Sequence, residues 1–220
     1  MTIRSLIPFI FVCFSSLFGQ ALIRSTHHSS SRDTTYMVRI NRTMPEFIAH
    51  FKMTKLPPGD KIQYLIELRN STDSSLFQSI IDTVDFSWGA HIELIDINFD
   101  GYLDLKLVSG ESPAYADQSY RFWIFDQKNH RYLYNEEFSN IYGQFVTDSL
   151  SKTITCTFRE NCSMCRTRDV YKISNNHLKL IEHQWDERVG EDENGVMTVK
   201  TTIEKLIKGK MRVVKTIMPN

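Results

Sequence analysis

The 220-residue chain lacks a surplus of either charge sign, with 26 Lys and Arg against 26 Asp and Glu. A nucleic-acid binder or a polybasic membrane-surface protein needs a cationic excess, so the balance argues against both. Glycine and proline are scarce, at 9 and 6 residues, which excludes collagen-like and low-complexity structure. A composition of 41% hydrophobic and 24% charged residues can bury a core and is not that of a disordered chain. No Gly-x-Ser-x-Gly, His-Glu-x-x-His or phosphate-cradling glycine loop occurs, and the 7 histidines are scattered. A non-enzymatic protein is therefore expected. A pair of placed carboxylates is the one enzymatic arrangement that the acidic residues leave open.

Long apolar runs are also missing, with one short exception at the start. Arg4 precedes an apolar stretch over residues 6–18, followed by Gly19-Gln20-Ala21. A positive n-region, a short h-region and small residues near a cleavage point read as a secretory signal peptide over residues 1–21. The stretch is shorter than the roughly 20 residues a membrane-spanning helix needs, and Ser15 and Ser16 interrupt it. The expectation is export to the periplasm or the extracellular space, with no membrane span. Residues 22–34, rich in Ser, Thr and His, read as a flexible lead-in to a single domain over 35–220.

Only 4 cysteines are present, and Cys13 falls within the signal. Export implies an oxidising compartment, where two of Cys156, Cys162 and Cys165 are expected to pair. If residues 153–158 and 166–173 form a hairpin, Cys156 and Cys165 lie across from one another as a disulfide. Zinc held by the three thiolates and His177 is an alternative with a non-standard spacing. A redox role for Cys162-Ser-Met-Cys165 is another, and it lacks the helix that such chemistry favours.

What fills the rest of the chain is short runs of apolar and β-branched residues punctuated by turn chemistry. Strands are expected at 35–40, 47–53, 61–69, 76–81, 91–97, 102–108 and 120–126. More follow at 131–134, 144–148, 152–158, 167–173, 178–184, 197–206 and 211–217, with a turn of helix near 136–142. Residues 44–53 also match helical spacing, but the Pro57-Pro58-Gly59-Asp60 turn and the returning apolar run after it favour a strand. This is an all-β pattern of antiparallel hairpins, propeller-like or multi-sheet. The acidic stretch 186–194 reads as a solvated loop that also suits a weak second cation site. Trp88, Trp123 and Trp185 read as core.

One segment carries chemistry. Asp96-Ile-Asn98-Phe-Asp100-Gly101-Tyr102-Leu-Asp104 places side-chain oxygens at positions 1, 3, 5 and 9, with glycine at 6. Calcium takes six to eight hard oxygen ligands, and such a loop turns alternate side chains inward around the ion. The backbone carbonyl of Tyr102 would add a ligand, and three clustered carboxylates repel one another without a cation. Position 12 is Leu107 rather than Glu, so the loop is not an EF-hand. The competing reading is a metal-free polar turn, because Asp-Gly turns without an ion.

At this loop the sequence resembles a family of small exported bacterial proteins that share an NFDGY-x-D calcium hairpin, a loop of FG-GAP-like form. Tyr120-Arg-Phe122-Trp123 matches the aromatic strand that follows the hairpin in that family, and Tyr171-Lys172 with Leu178-Lys-Leu180 matches a later strand pair. The likeness runs loosely over residues 60–217, and only the calcium loop is a specific motif. The family includes a periplasmic immunity protein that inhibits a lysozyme-like effector of a type IV secretion system. The resemblance implies an all-β, propeller-like, calcium-binding protein without catalysis. Its ion would sit on Asp96, Asn98, Asp100, Tyr102 and Asp104. Its partner would be another protein, a peptidoglycan hydrolase in particular. The resemblance carries over no inhibitory motif residue by residue. Residues 109–118, just beyond the hairpin, are where a contact surface is expected, with Glu111, Tyr115 and Asp117 facing the partner, and an ordinary solvated loop is the competing reading. The alternative function is a cell-surface or periplasmic adhesion module that binds glycans through Tyr115 or Trp185.

Overall fold

The computed structural model describes residues 31–59, 61–85, 92–111, 117–159, 165–191 and 195–218. The expected signal peptide, Trp88, Tyr115 and Cys162 lie outside these.

Three antiparallel sheets follow one another along the chain, each a meander whose neighbours in sequence are neighbours in space. The first holds β1 (Ser31–Val38), β2 (Phe47–Leu56), β3 (Lys61–Asn70) and β4 (Leu76–Asp85). The second holds β5 (Ile92–Ile95), β6 (Asp104–Glu111), β7 (Gln118–Asp126) and β8 (Arg131–Asn135). A single helical turn, α1 (Glu136–Ser139), leads to the third. That sheet has six strands: β9 (Gln144–Asp148), β10 (Thr153–Arg159), β11 (Arg166–Ser174), β12 (His177–Glu191), β13 (Met197–Ile207) and β14 (Lys210–Ile217). The multi-sheet form of the expected all-β fold is the one observed, and no ring of sheets closes among the described residues.

Two cores hold the sheets together, and the second sheet serves both. Ile62, Tyr64, Ile66 and Leu68 alternate along β3 and meet Leu105, Leu107, Trp123 and Phe125 from the second sheet. Tyr120, Phe122 and Ile124 leave the other face of β7 and meet Phe138, Ile154, Cys156 and Ile173. A strand buried on both faces needs no polar alternation, which accounts for the unbroken Phe-Trp-Ile-Phe run of β7.

β2 is a strand, as the turn at Pro57-Pro58 implies, and Phe47, Ala49, Phe51 and Met53 all pack on the first core. Several boundaries differ from expectation, two of them in segments read as loops. β1 begins at Ser31, inside the segment read as lead-in, because residues 31–34 pair with Phe51 to Thr54 of β2. β12 runs on to Glu191 through the acidic stretch read as a loop. Its residues pair with β13, where Lys200 meets Glu187 and the Thr201 hydroxyl donates to Asp186 at 2.7 Å. Cross-strand partners neutralise and satisfy those carboxylates, so their acidity does not force a loop.

Candidate functional site: the loop between β5 and β6

The expected hairpin forms, but its tip is wider than a two-residue turn. β5 ends at Ile95 and β6 starts at Asp104, leaving residues 96–103 as a loop. Its path depends on positive backbone angles at Phe99 (φ 59°) and Gly101 (φ 88°), the latter where glycine costs least.

The loop is closed by its own carboxylates. Asp96 accepts from the Asp100 amide at 3.0 Å and the Gly101 amide at 2.9 Å, and Asp100 accepts from the Tyr102 amide at 2.9 Å. Asp104 has 0% of its surface exposed. One of its oxygens accepts from the Ile97 amide at 3.1 Å and the other from the Phe125 amide at 2.8 Å. Burial raises the Asp104 carboxyl well above the usual carboxylate range; the charges of Asp100 and Asp96 push the same way, and its two amide donors pull against them. Asp96 is raised as well, by burial first and by Asp100 to a lesser extent.

Groups remote in sequence converge on the loop. The Asn98 amide donates to Asp100 at 2.9 Å and to Asn176, in the β11–β12 turn, at 3.0 Å. The Leu103 amide donates to the Ile40 carbonyl at 2.8 Å, and the Asn41 side chain donates to the Gly101 carbonyl at 2.5 Å. Gln127 reaches Asp100 at 3.2 Å, and the Tyr132 hydroxyl donates to the Leu103 carbonyl at 2.9 Å. The Tyr102 ring stacks on Phe125 with centroids 5.3 Å apart. The segment after β1, the second sheet and a turn of the third sheet therefore meet here. Asn176 and Gln127 were not singled out in the sequence; the Asn175-Asn176 pair signals only a turn.

The five expected calcium ligands share this loop, and their donors are all oxygens, the set a hard cation takes. Among the described residues, however, no group of three or more His, Cys, Asp or Glu side chains is positioned to hold a metal ion. The carboxylates are turned onto loop amides instead. The donor chemistry fits calcium.

Two other expected sites are corrected. Asp117 is 4% exposed and accepts from the Arg159 amide at 2.9 Å, so it secures the end of β10 and does not face a partner. Glu111 ends β6 opposite Gln118, and Tyr115 lies outside the described residues. The Cys156–Cys165 disulfide is not formed. Cys156 is a free, buried thiol whose cross-strand partner is Asp169. Cys165 is disulfide-bonded. The hairpin register is the reason: Arg159 opposite Arg166 leaves Cys165 beyond the paired region. The zinc alternative loses one of its three thiolates, because Cys165 is disulfide-bonded.

Beside the start of β7 lies a cavity of about 360 Å³ between β5 and β9, the free edges of the second and third sheets. Lys106 lines it, 7% exposed, paired with Glu93 at 2.5 Å and held over the rings of Tyr120 and Phe145. Gln118 on its wall adjoins the segment expected to meet a partner.

No family model and no curated protein matches the chain. A solved structure described as that of a Xanthomonas type IV secretion system related protein is similar to it, at 21% identity with a TM-score of 0.55. The likeness covers 84% of this chain and 99% of that one, so the two share a fold over nearly the whole of the solved protein. No described helix is long and apolar enough to cross a membrane.

Proposed function

We propose that this is an exported, non-enzymatic β protein, stabilised by calcium, that binds another protein and inhibits a lysozyme-like peptidoglycan hydrolase. The observation that carries the reading is the fold shared with a type IV secretion system related protein, in a chain bearing the Asp-x-Asn-x-Asp-Gly-x-x-Asp loop. Asp96, Asn98, Asp100, the Tyr102 carbonyl and Asp104 would hold the ion. When bound, calcium supplies the positive charge that offsets three crowded carboxylates.

The chain's own residues then do the rest. Asn176, Asn41 and Tyr132 tie the loop to its surroundings, and a rigid loop holds the neighbouring cavity and its rim in one shape. Inhibition needs only that a preformed surface occupy the hydrolase cleft, which costs little ordering entropy. Glu93, Lys106 and Gln118 line the surface nearest the expected contact segment.

The test is turbidity loss of purified peptidoglycan by a panel of lysozyme-like muramidases, with and without the calcium-loaded protein. Stoichiometric inhibition of at least one is expected. No inhibition across the panel, with the protein folded and calcium-saturated, would sink the inhibitor reading and favour the glycan-binding module.

A further inference from the structure

The outward face of the third sheet gathers positive charge that the neutral composition conceals. Directly paired residues share a face, so the register defines it. One row runs Thr155, Val170, Glu182, Lys205 and Arg212, and the next begins Thr153, Lys172 and Lys179. The opposite face sends Ile154, Cys156 and Ile173 into the second core. On the outward face stand Arg166, Arg168, Lys172 and Lys179 from β11 and β12. Lys205, Lys210, Arg212 and Lys215 continue it on β13 and β14.

The acids there are few and already engaged. Glu182 is shared by Arg168 and by Lys205, the latter at 3.0 Å. Asp186 accepts from the Arg166 amide and the Thr201 hydroxyl, Asp148 accepts from the amides of Leu150 and Ser151, and Arg188 and Glu191 cancel one another. Arg166, Lys179, Lys210, Arg212 and Lys215 form no ion pair with any described residue. Exposed aliphatic side chains share this face: Ile207 at 39% and Ile217 at 44% among the cations of β13 and β14, and Val146 at 71% on the edge strand β9.

We propose that this face docks on an anionic lipid surface. The free Arg and Lys side chains meet headgroup phosphates, and Val146, Ile207 and Ile217 enter the interfacial layer. The argument for lipid over nucleic acid is the side-chain mixture: no Phe, Tyr or Trp stands among the described residues of this face, so bases find nothing to stack on. The aliphatic groups among the cations suit an interface that offers both phosphate and hydrocarbon. This goes beyond the hydrolase reading and does not depend on it.

The experiment is co-sedimentation with vesicles of mixed phosphatidylglycerol and phosphatidylcholine, beside vesicles of phosphatidylcholine alone. The protein is used without residues 1–21, whose apolar run would itself partition into lipid. Binding to the anionic vesicles alone is expected, and it should fall away as salt rises from about 0.05 M to about 0.5 M. Arg212→Glu should weaken it roughly fivefold or more. Lys128→Glu makes the same change of net charge in the exposed β7–β8 turn of the second sheet and should leave it within about twofold. Equal binding to neutral vesicles, equal loss in the two variants, or no binding to anionic vesicles at low salt would each overturn the proposal. So would binding to poly-L-glutamate without binding to vesicles, which assigns the face to an acidic protein.

Discussion

At Asp104 a single buried side chain at the start of β6 ties the 96–103 loop to β7. Its oxygens satisfy the amides of Ile97 and Phe125, both in fully buried surroundings. Asp104→Ala leaves both donors without a partner, at about 1–3 kcal/mol each, so a loss of roughly 2–6 kcal/mol is expected in urea unfolding. Asp104→Asn keeps one acceptor and should lose clearly less; equal losses would mean that the charge, not the hydrogen bonds, stabilises the loop. Cys156 shows how burial disarms a reactive group. It is 2% exposed, and burial, with the nearby Asp169 carboxylate, pushes its thiol up to about 12. Iodoacetamide at pH 8 should leave the Cys156 peptide unmodified in the folded protein and label it fully in denaturant, read by mass spectrometry. Rapid labelling without denaturant would show that β10 opens.

Among the elements, β9 depends on one backbone position. Gly143, at φ 86°, sits where an added Cβ would lie 2.4 Å from the Thr157 carbonyl oxygen and 2.6 Å from the Phe158 Cβ. The β9–β10 pair therefore needs glycine both for its backbone angle and for its lack of a side chain. Gly143→Ala should cost about 1–3 kcal/mol, and hydrogen exchange should quicken in residues 144–148 ahead of the rest of the third sheet. Uniform quickening would mean that β9 does not yield first. The strands themselves were readable from the sequence, because apolar runs separated by turn residues carry their own signal. β12 was read too short because its acidic end looked like a solvated loop, and only pairing with β13 shows why it is not. The cysteine pairing was misread for a related reason: a hairpin was visible in the sequence, but its register was not.

At the scale of the whole molecule, the loop over residues 96–103 is where the segment after β1, the second sheet and a turn of the third sheet come together. If calcium binds only the folded protein, an ion concentration 100 times the dissociation constant adds about 2.7 kcal/mol. The melting temperature should rise with calcium, while Asp100→Ala/Asp104→Ala should show no such rise at millimolar ion. A rise in both proteins would place the ion elsewhere. Asn176→Ala removes the link from the third sheet while leaving the expected ligands intact. It should cost on the order of 1 kcal/mol in stability and weaken calcium binding only modestly, by calorimetry. Loss of all calcium binding would make Asn176 a ligand.

The sequence by itself determined the class of fold, the succession of strand-length segments along the chain and the oxygen-rich loop, because each is written in residues near one another along the chain. The tertiary structure alone decided what those residues face. Asn176 lies 78 positions from Asn98, Asp117 looked exposed and is buried, and Cys156 meets Asp169 rather than Cys165. A chain with equal numbers of opposite charges also gathers cations without ion-pair partners on one face of the third sheet. Composition sums charges and cannot see direction, and direction is set by strand register and by which face of each sheet turns to a core.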